Sequence, residues 1–498
     1  MNILEKAISL VSPEWAYKRA VFAEAVRSYD AGRVDRFNDS WTPINMDTEN
    51  SDKMQRDLIK ARARFLENNS DIAESAIGSI VRNSVGTGIQ PQARTPDEVI
   101  NKKLEDLWKE WTKQENCDIT GQQTFYEMQE LLLRRKVVDG ESMVRKVYDK
   151  SALIPLKLQL IKPDLLDSYL LTAPKTNRII RSGIELDDYL KPIAYWIQHK
   201  SPDGYITYQS DRVPADKILH LWRKKHADQI RGISELATSI QRISETDEYL
   251  RAETIAAKIA ACYAIFITTT MPNGNLTVGR QTKDKEGKPL ESIRPGMISK
   301  LRPGENISAA NPGRSATTAG DYVKIQQQLA GSGLGLSYEL VSRDFSKATF
   351  SSARQGHLED RRTFMPIQGY MIAHCCRPIW EAFVDAVVLA GLVKIPDYWT
   401  NKAAYTAADW ITPGWQWIDP QKEAKADVIL MQNGGMTLAQ WSAGRGNDWE
   451  TQLRQMAREK KYAEELGLDL PIHKPEAVQA AEMNHKKEED EKDDDSEE

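Results

Sequence analysis

GSGLGLSYELVSRDFSKATFSSAR, residues Gly331 to Arg354, is the most informative stretch of this 498-residue chain. Glycines punctuate its start, polar residues surround two phenylalanines, and the Ser351-Ser352 pair is predicted to open a helix. The glycines superficially resemble a phosphate loop, but the Lys-Ser/Thr ending of a Walker loop is missing and GxGxxG does not fit. We therefore expect them to supply backbone freedom, because glycine tolerates positive φ.

Helical patterns flank this stretch on both sides. Residues 234–268 are predicted to form one long helix whose second half is rich in alanine, and small side chains let neighbouring helices pack closely. About 30 helical residues would reach roughly 45 Å. Such a helix must bury its faces, either in a ring of identical helices or in a bundle within one subunit. Tyr322 to Leu329 is a second predicted helix, and Ser352 to Leu392 a third, with kinks at Pro366 and Pro378.

Residues 271–318 interrupt the helices with several Pro-Gly pairs. Short strands are predicted here, such as GMISKL (residues 296–301), and Asn273-Gly274 is a strong hairpin signal. The segment is predicted to be a small β-rich insertion. The plain alternative is a disordered surface loop.

The N-terminal half has the pattern of an α+β domain. Apolar residues recur at three- and four-residue steps over Asp52 to Val85, with Ser51 as a plausible N-cap, and two further helices are predicted at Pro96 to Trp111 and Phe125 to Asp139. Between residues 141 and 208, short runs bounded by Pro, Asp and Gly predict strands. These runs are ESMVRKVY, PLKLQLI, RIIRSGIEL and PIAYWIQ.

The C-terminal part is predicted to be helical after an irregular, Trp-rich segment from Trp399 to Pro420. Its helices are Lys422 to Met431 and Leu438 to Leu466, the second preceded by Thr437 as an N-cap. The acidic tail after Pro471 is predicted to be disordered.

The charge of the chain is concentrated in that tail. The whole sequence carries a net charge of −5, the residues from Pro471 onward carry −7, and the remainder is therefore at +2. Tight binding of duplex DNA requires a concentrated positive surface, because counterion release drives it. A nearly neutral body argues against a DNA clamp. It fits a sleeve that lets DNA move, and equally a protein that never meets DNA.

Cysteine usage and hydropathy indicate a soluble protein in a reducing compartment. Two of the four cysteines, Cys375 and Cys376, are adjacent, which disfavours a bridge between them and gives no disulfide framework. No signal peptide is recognised at the start. The most apolar helical segment, residues 375–393, is interrupted by three charged side chains and is too charged to span a bilayer, so no membrane association is expected.

Motifs for catalysis or metal binding are missing from the sequence. No CxxC, HExxH or DxDxDG spacing occurs, and His220 and His226 would meet Cys262 only if the fold brought them together. The serines of the opening stretch have no base nearby in the sequence that would mark a nucleophile. We expect no catalytic residue, no metal and no cofactor.

Several segments, taken in order over roughly 370 residues, resemble the lambda-type family of tailed-phage portal proteins. The opening stretch resembles the tunnel loop of that family, which reaches toward DNA. The other matching segments are Asn68 to Gln92, Val213 to Ile240, Ile293 to Ile307 and Trp415 to Thr437.

The resemblance implies a mainly helical α+β fold with a wing, a helical stem, a small β-containing clip and a C-terminal helical crown. An N-terminal arm (1–50) would precede the wing (51–233), the stem helix (234–268), the clip (269–318), the returning stem helix (319–333), the tunnel loop (334–352), a second part of the wing (353–420), the crown helices (421–470) and the acidic tail (471–498).

The same resemblance suggests two sets of site residues. In the tunnel loop, contacts with DNA phosphates would come from Arg343, Ser346, Lys347 and Arg354. Lys347 is the best single candidate, because an ammonium between two aromatic residues contacts phosphate without reading sequence. The alternative for Arg343 and Arg354 is an ion pair between subunits. In the clip, docking of motor and connector would involve Arg280, Lys283, Lys285 and Lys288.

By resemblance the protein is a portal: a ring of identical subunits, twelve being the family norm, at one vertex of the capsid. Double-stranded DNA would pass through it, and its partners would be the terminase large subunit, the head-tail connector or adaptor, and the major capsid and scaffold proteins. The expected location is the virion, with assembly in the host cytoplasm. Two other hypotheses stay open: a helical scaffold or adaptor without DNA contact, and an enzyme of unrecognised type such as a nucleic-acid hydrolase.

Overall fold

The computed structural model describes residues 46–174, 177–201, 203–261, 265–269, 282–283, 289–290, 305–309, 317–346, 349–415 and 420–468. The chain divides into two units, Met1–Asp52 and Lys53–Glu498. Residues 46–52 represent the first unit and include the start of the first helix at Thr48. Most of the predicted N-terminal arm and the predicted acidic tail lie outside the described residues.

Helices make up most of the described chain, and antiparallel sheets complete it. This confirms the prediction of a mainly helical α+β fold. The helices are α1 (Thr48–Asn69), α2 (Asp71–Ser84), α3 (Glu98–Trp111), α4 (Gln114–Cys117), α5 (Phe125–Asp139), α6 (Ile240–Ala261), α7 (Thr317–Leu334), α8 (Tyr338–Ser342), α9 (Phe350–Met371), α10 (Arg377–Leu389), α11 (Lys402–Tyr405), α12 (Pro420–Gln432), α13 (Leu438–Ala443) and α14 (Trp449–Glu465).

Five antiparallel sheets are formed by the described strands. The strands are β1 (Gln90–Ala93), β2 (Glu141–Tyr148), β3 (Leu156–Ile161), β4 (Ile180–Arg181), β5 (Ile184–Leu186), β6 (Pro192–Lys200), β7 (Ile206–Pro214), β8 (Ile218–Trp222), β9 (Ile265–Thr269), β10 (Thr282–Lys283), β11 (Pro289–Leu290), β12 (Glu305–Ala309) and β13 (Ala408–Ile411). The sheet orders are β3-β2-β8, β4-β5-β6-β7, β1-β13, β9-β12 and β10-β11.

The predicted single helix from Asp52 to Val85 is two helices, which is a correction to the sequence interpretation. α1 already begins at Thr48, so Ser51 lies inside it and is not its N-cap. Ser70 separates α1 from α2: its backbone is extended (φ −119°, ψ 119°) and its hydroxyl accepts from the amide of Ala73. A serine that satisfies an otherwise unpaired amide favours a new helix start over continuation.

The predicted helix over 234–268 also needs correction at both ends. A 3₁₀ turn, Glu235–Thr238, comes first, α6 ends at Ala261, and Ile265–Thr269 is strand β9 instead. β9 pairs with β12 in antiparallel register, Ile267 opposite Ile307. Isoleucine and threonine dominate β9, and β-branched residues prefer strands to helices. The predicted strand GMISKL and the predicted Asn273-Gly274 hairpin lie outside the described residues.

The long helix after the opening stretch is interrupted at one of the two predicted prolines. Pro366 lies within α9, whereas a π-helical turn, Ile372–Cys376, separates α9 from α10 just before Pro378. Pro378 has no amide hydrogen to donate to the carbonyl four residues earlier, and its ring crowds that carbonyl. The wider π turn accommodates this mismatch.

An aromatic cluster forms the centre of the larger core. Trp108 of α3 stands edge-on to Phe125 of α5 and to Trp380 and Phe383 of α10, with ring centroids 5.2, 5.3 and 5.0 Å away. Trp111 lies 4.9 Å from Trp108 and donates from its indole nitrogen to the carbonyl of Leu156, at 2.7 Å. These rings join α3, α5, α10 and β3 into one body.

A close crossing of two glycines joins helix α5 to the segment before α6. Gly140 ends α5 with φ +86°, and a Cβ atom built there would lie 2.2 Å from the carbonyl carbon of Ile233. A Cβ atom on Gly232 would lie 2.0 Å from the carbonyl oxygen of Gly140. Both distances are far below van der Waals contact, so only glycine fits at these positions.

Candidate functional site

The opening stretch of the sequence begins in α7 and turns sharply before α8. Gly335 makes the turn in the left-handed region (φ +71°). Ser337 then caps α8, and both its amide and its hydroxyl donate to the carboxylate of Asp360 in α9, at 2.8 and 2.7 Å. Burial raises the pKa of Asp360, against the opposing effect of these two hydrogen bonds. Asp360 therefore ties the start of the stretch to the helix that follows it.

Helix α8 is fixed against α2 from a different direction. Leu340 and Val341 are buried, and the carbonyl of Leu340 accepts from the hydroxyls of Ser75 and Ser79, at 3.2 and 3.4 Å. Arg343 ends α8 with a left-handed backbone (φ 59°) and donates from Nη2 to the hydroxyl of Ser79, at 2.9 Å. The base of the loop is thus anchored in the body of the subunit.

Residues 344–346, which follow Arg343, are exposed. Asp344 accepts from the amide of Ser346 at 3.0 Å and from the hydroxyl of Tyr338 at 3.2 Å. Hydrogen bonds from Ser346 lower the pKa of Asp344, so its carboxylate is charged at neutral pH. Phe345 is 47% exposed, and its ring faces that of His357 at 6.4 Å. Within the described residues 344–346, the loop therefore presents the carboxylate of Asp344, the ring of Phe345 and the hydroxyl of Ser346 to solvent.

Helix α9 closes the stretch and begins at Phe350, two residues before the predicted start at Ser352. Thr349 is its N-cap in a capping box: the hydroxyl of Thr349 accepts from the amide of Ser352, and the hydroxyl of Ser352 accepts from the amide of Thr349. This reciprocal pair fixes the point where the chain re-enters the helical body. The loop between Arg343 and Thr349 has well-defined ends on both sides.

The predicted DNA-contacting residues do not share one environment. Ser346 lies in the exposed tip, whereas Arg343 is engaged with Ser79 at the base. Arg354 lies half-buried in the first turns of α9, where its Nε is buried and has no hydrogen-bond partner among the described residues. Lys347 lies outside the described residues. Contact of these four with DNA remains a prediction, as does an ion pair of Arg343 or Arg354 between subunits.

Of the predicted docking residues, only Lys283 lies in the described part of the chain. It ends the short strand β10, where its backbone is paired with Pro289 of β11. Arg280, Lys285 and Lys288 lie outside the described residues. The docking role of all four remains a prediction.

A buried charge cluster was not found from the sequence. Glu141, the first residue of β2, is fully buried and accepts from His220 Nε2 at 3.0 Å and from Arg231 Nε at 3.1 Å. Burial alone would raise the pKa of Glu141, but Arg231 and His220 outweigh it and hold the pKa well below its usual value. Burial lowers the pKa of His220, so the imidazole is neutral near pH 7. Glu141 is 79 residues from His220 and 90 residues from Arg231 in the chain, so no local sequence pattern marks this cluster.

A second set of ion pairs joins α1 to the same region. Lys60 and Arg64 contact Asp164 at 3.0 and 2.9 Å, and Arg64 also pairs with Asp139 at 2.7 Å. Burial would raise the pKa of Asp164, but these two cations lower it far below its usual value. These pairs hold α1 to the end of α5 and to the turn that follows β3.

Metal-ligating side chains do not converge within the part of the chain that the structure describes: no three His, Cys, Asp or Glu residues lie close enough there to hold an ion. The cysteines described there, Cys117, Cys375 and Cys376, are buried and unpaired with one another. Among the same residues, no helix combines the length and the apolar character needed to cross a bilayer.

This mainly helical subunit with its anchored loop has relatives among known proteins. The family model for phage portal proteins of the lambda family matches residues 35–368, more than half of the chain. The chain is 26% identical over 487 residues to a probable portal protein of Halomonas phage phiHAP-1, covering 94% of this chain and 92% of that protein. It is 22% identical over 461 residues to portal protein B of Escherichia phage lambda, covering 82% and 85%.

Among solved structures, the chain is similar to one from the neck of a native gene transfer agent particle. The TM-score is 0.45 at 12% identity, and the match covers 77% of this chain and 92% of that one. The family match defines the class of this protein as phage portal proteins. The chain belongs to the lambda family of phage portal proteins.

Proposed function

We propose that identical copies of this chain form a closed ring at one vertex of a phage capsid and that double-stranded DNA passes through the ring. Identical subunits that meet through two different surfaces close into a ring when their rotation allows it. Membership of the portal family supports this proposal. Twelve copies remain the expected number, and the expected locations are the virion and, during assembly, the host cytoplasm.

One observation carries the proposal: the loop between Arg343 and Thr349 is anchored at its base, and its described residues 344–346 are exposed. The base is held by Arg343 on Ser79, by Ser337 on Asp360 and by the Thr349 capping box. A segment anchored in this way projects its tip reproducibly from every subunit. In a ring, the tips would form a collar around whatever passes through it.

Contact of this collar with DNA would be weak and independent of base sequence. Arg343, Ser346, Lys347 and Arg354 would meet phosphates, which carry no sequence information. The charged carboxylate of Asp344 lies in the same loop and would repel phosphates, so the collar is poorly suited to grip. Together with the body charge of +2, this favours passage over clamping.

The segment 269–318 would serve as the docking site for the terminase large subunit and later for the head-tail connector or adaptor. Arg280, Lys283, Lys285 and Lys288 give this segment a basic character that suits an acidic partner surface. Major capsid and scaffold proteins would contact the outside of the ring. The terminase would supply all the work, so the portal itself would catalyse no reaction and need no cofactor or metal.

Electron microscopy of the purified full-length chain tests the proposal. End-on views should show rings with a central hole wide enough for a B-form duplex. Monomers or filaments only, or a hole too narrow for the duplex, would overturn the ring and favour the helical scaffold without DNA contact. Incubation with DNA and Mg²⁺ without the terminase should leave the DNA intact, and cleavage would favour the enzyme hypothesis.

A further inference from the structure

Two exposed surfaces of one subunit complement each other in charge, and both contain exposed apolar side chains. The first is a groove of about 740 Å³ between α1 and α6, here the α1–α6 groove. Its floor includes the buried Leu66 and Ile240 together with Phe65, which is 58% exposed. Exposed aromatic surface of this extent beside an open groove suits contact with an apolar partner side chain.

The walls of the α1–α6 groove differ in charge. Glu245 and Glu248 line the α6 wall, both exposed and one helical turn apart. Gln241 donates to Glu245 at 2.9 Å, and Glu248 has no ion-pair partner among the described residues. Arg62 lines the α1 wall. The α6 wall is therefore acidic and accessible to a cation of another molecule.

The second surface lies on α9 and is here called the arginine face of α9. Leu358 and Met365, two turns apart, are 39% and 57% exposed. Basic side chains accompany them on the same side of the helix, since residues three, four and seven apart share a face. This face comprises Arg354, Leu358, Arg361, Arg362 and Met365.

Arg362 is the most accessible cation of this face. Its side chain is 75% exposed and pairs with Glu359 at 3.0 Å, which is itself 66% exposed. An exposed pair within one helix contributes little to stability, so Arg362 is free to exchange it for a better partner. Arg361 is less free, because its guanidinium lies 5.7 Å from the ring of Trp415.

We propose that the arginine face of α9 of one subunit docks into the α1–α6 groove of the next copy, and that Arg362 pairs there with Glu245 and Glu248. Leu358 and Met365 would cover Phe65. Both surfaces are exposed within a single subunit, so their contact requires a second copy. The two surfaces differ, which makes the contact heterologous, as ring closure requires. The proposal rests on the ring proposed above and assigns its subunit interface.

DNA is the other polyanion that an arginine face could meet, but the apolar residues favour protein. Phosphates gain nothing from Leu358 and Met365, which would stay exposed to water against a DNA backbone. Protein interfaces are enriched in Arg and Met and bury apolar side chains at their centres. An acidic groove with an exposed phenylalanine matches both features.

A charge swap tests the proposed interface in the full-length chain. Glu248→Lys and Arg362→Glu should each lower the fraction of subunits in rings by about tenfold, because each places like charges together. The combined variant should restore rings, as each new charge meets its opposite. Ring content is measured by size-exclusion chromatography with light scattering, and folding of each variant by its circular dichroism spectrum, which should match that of the parent chain.

Asp106→Lys and Lys103→Glu are matched controls, since both reverse an exposed charge on α3, away from the two surfaces. They should form rings like the parent chain. If a reversed charge were to unfold the subunit, Met365→Gln gives an uncharged substitute with the same expected loss of rings. Its site is 57% exposed, so folding does not depend on it.

The outcomes separate this inference from the ring itself. A parent chain that forms no rings overturns the proposed function and the interface with it. Rings that persist in both single variants overturn the interface alone. The same holds if folded single variants lose their rings and the combined variant fails to restore them. Normal rings with reduced DNA retention would assign the arginine face to DNA instead.

Discussion

Arg343 donates to the hydroxyl of Ser79 across a separation of 264 residues, and this bond links the base of the exposed loop to helix α2. Ser79 in turn donates to the carbonyl of Leu340 at 3.4 Å. The Ser79 hydroxyl therefore accepts one hydrogen bond from Arg343 and donates another to the carbonyl of Leu340. Removal of the Ser79 hydroxyl therefore tests how firmly the loop is held.

Ser79→Ala should loosen the loop without unfolding the subunit. The carbonyl of Leu340 keeps its bond from Ser75, and the guanidinium of Arg343 is exposed enough to be hydrated, so the cost should be about 1 kcal/mol. Hydrogen exchange of the amides in residues 338–346 should become faster. Measurement by mass spectrometry on the purified chain checks this expectation.

Ser332→Ala is the matched control, because Ser332 is exposed on α7 and removal of its hydroxyl leaves the loop anchors intact. Exchange over residues 338–346 should match the parent chain in this variant. Equal exchange in Ser79→Ala and the parent chain would show that the anchor is not needed to hold the loop.

The glycine crossing gives a prediction about stability. Gly232→Ala should destabilise the subunit by at least ~3 kcal/mol, the upper end of overpacking costs, because the new Cβ atom would lie 2.0 Å from the carbonyl oxygen of Gly140. Backbone atoms of this crossing cannot rotate away as a side chain can. The midpoint of urea unfolding measures the change.

Gly320→Ala in α7 is the control for that variant. A Cβ atom at Gly320 would have no neighbour within 4 Å, and alanine is the better helix former. We expect a gain of about 0.5 kcal/mol. A similar unfolding midpoint for both variants would mean that the crossing is not as close as described.

Local sequence signals are sufficient to predict an element whose ends are marked by capping residues. α5 begins and ends as predicted, because Thr124 and Glu127 form a capping box and Gly140 adopts a left-handed cap. Strand β2 also has its predicted bounds. The break at Ser70 was missed because the apolar period continues on both sides of it. Strand β7 was missed because polar residues interrupt its apolar pattern.

Sequence reasoning could not find the contacts that position the loop. The bonds from Ser75 and Ser79 to Leu340 join residues more than 260 positions apart, and no local pattern marks either serine. The Ser337–Asp360 pair is nearer in sequence, but its two residues lie on different helices whose packing is set by the core. The loop itself was visible as a run of glycines and polar residues, whereas its anchors depended on the fold.

The buried Glu141 cluster predicts loss of stability in acid, in two steps. His220 has a lowered pKa in the folded chain, so below its ordinary value of 6.5 the unfolded chain binds a proton that the folded chain does not. Glu141 has a lowered pKa too, and its contribution is lost as the pH falls below its ordinary value of 4.5 toward the folded-state pKa. The free energy of unfolding should therefore decrease below about pH 6.5 and decrease more steeply below about pH 4.5.

Glu141→Gln isolates the second step. Removal of one partner from a buried ion pair costs about 3–5 kcal/mol, so the variant should be less stable at neutral pH. Its further loss below pH 4.5 should be smaller than that of the parent chain, since the carboxylate is gone. Urea unfolding at a series of pH values measures both effects. Parallel curves for the two proteins would show that Glu141 does not control the acid response.

Lys347→Ala tests the contact between the loop and DNA. An ammonium that meets phosphates without supporting the fold can be removed without loss of rings, whereas every subunit of a ring would lose one transient contact. Rings should therefore form as in the parent chain, while DNA retention in packaged particles falls severalfold. Lys103→Ala, an exposed lysine on α3, should leave both properties unchanged. Failure of Lys347→Ala to form rings would make this residue structural, and unchanged retention with intact rings would exclude it from the DNA path.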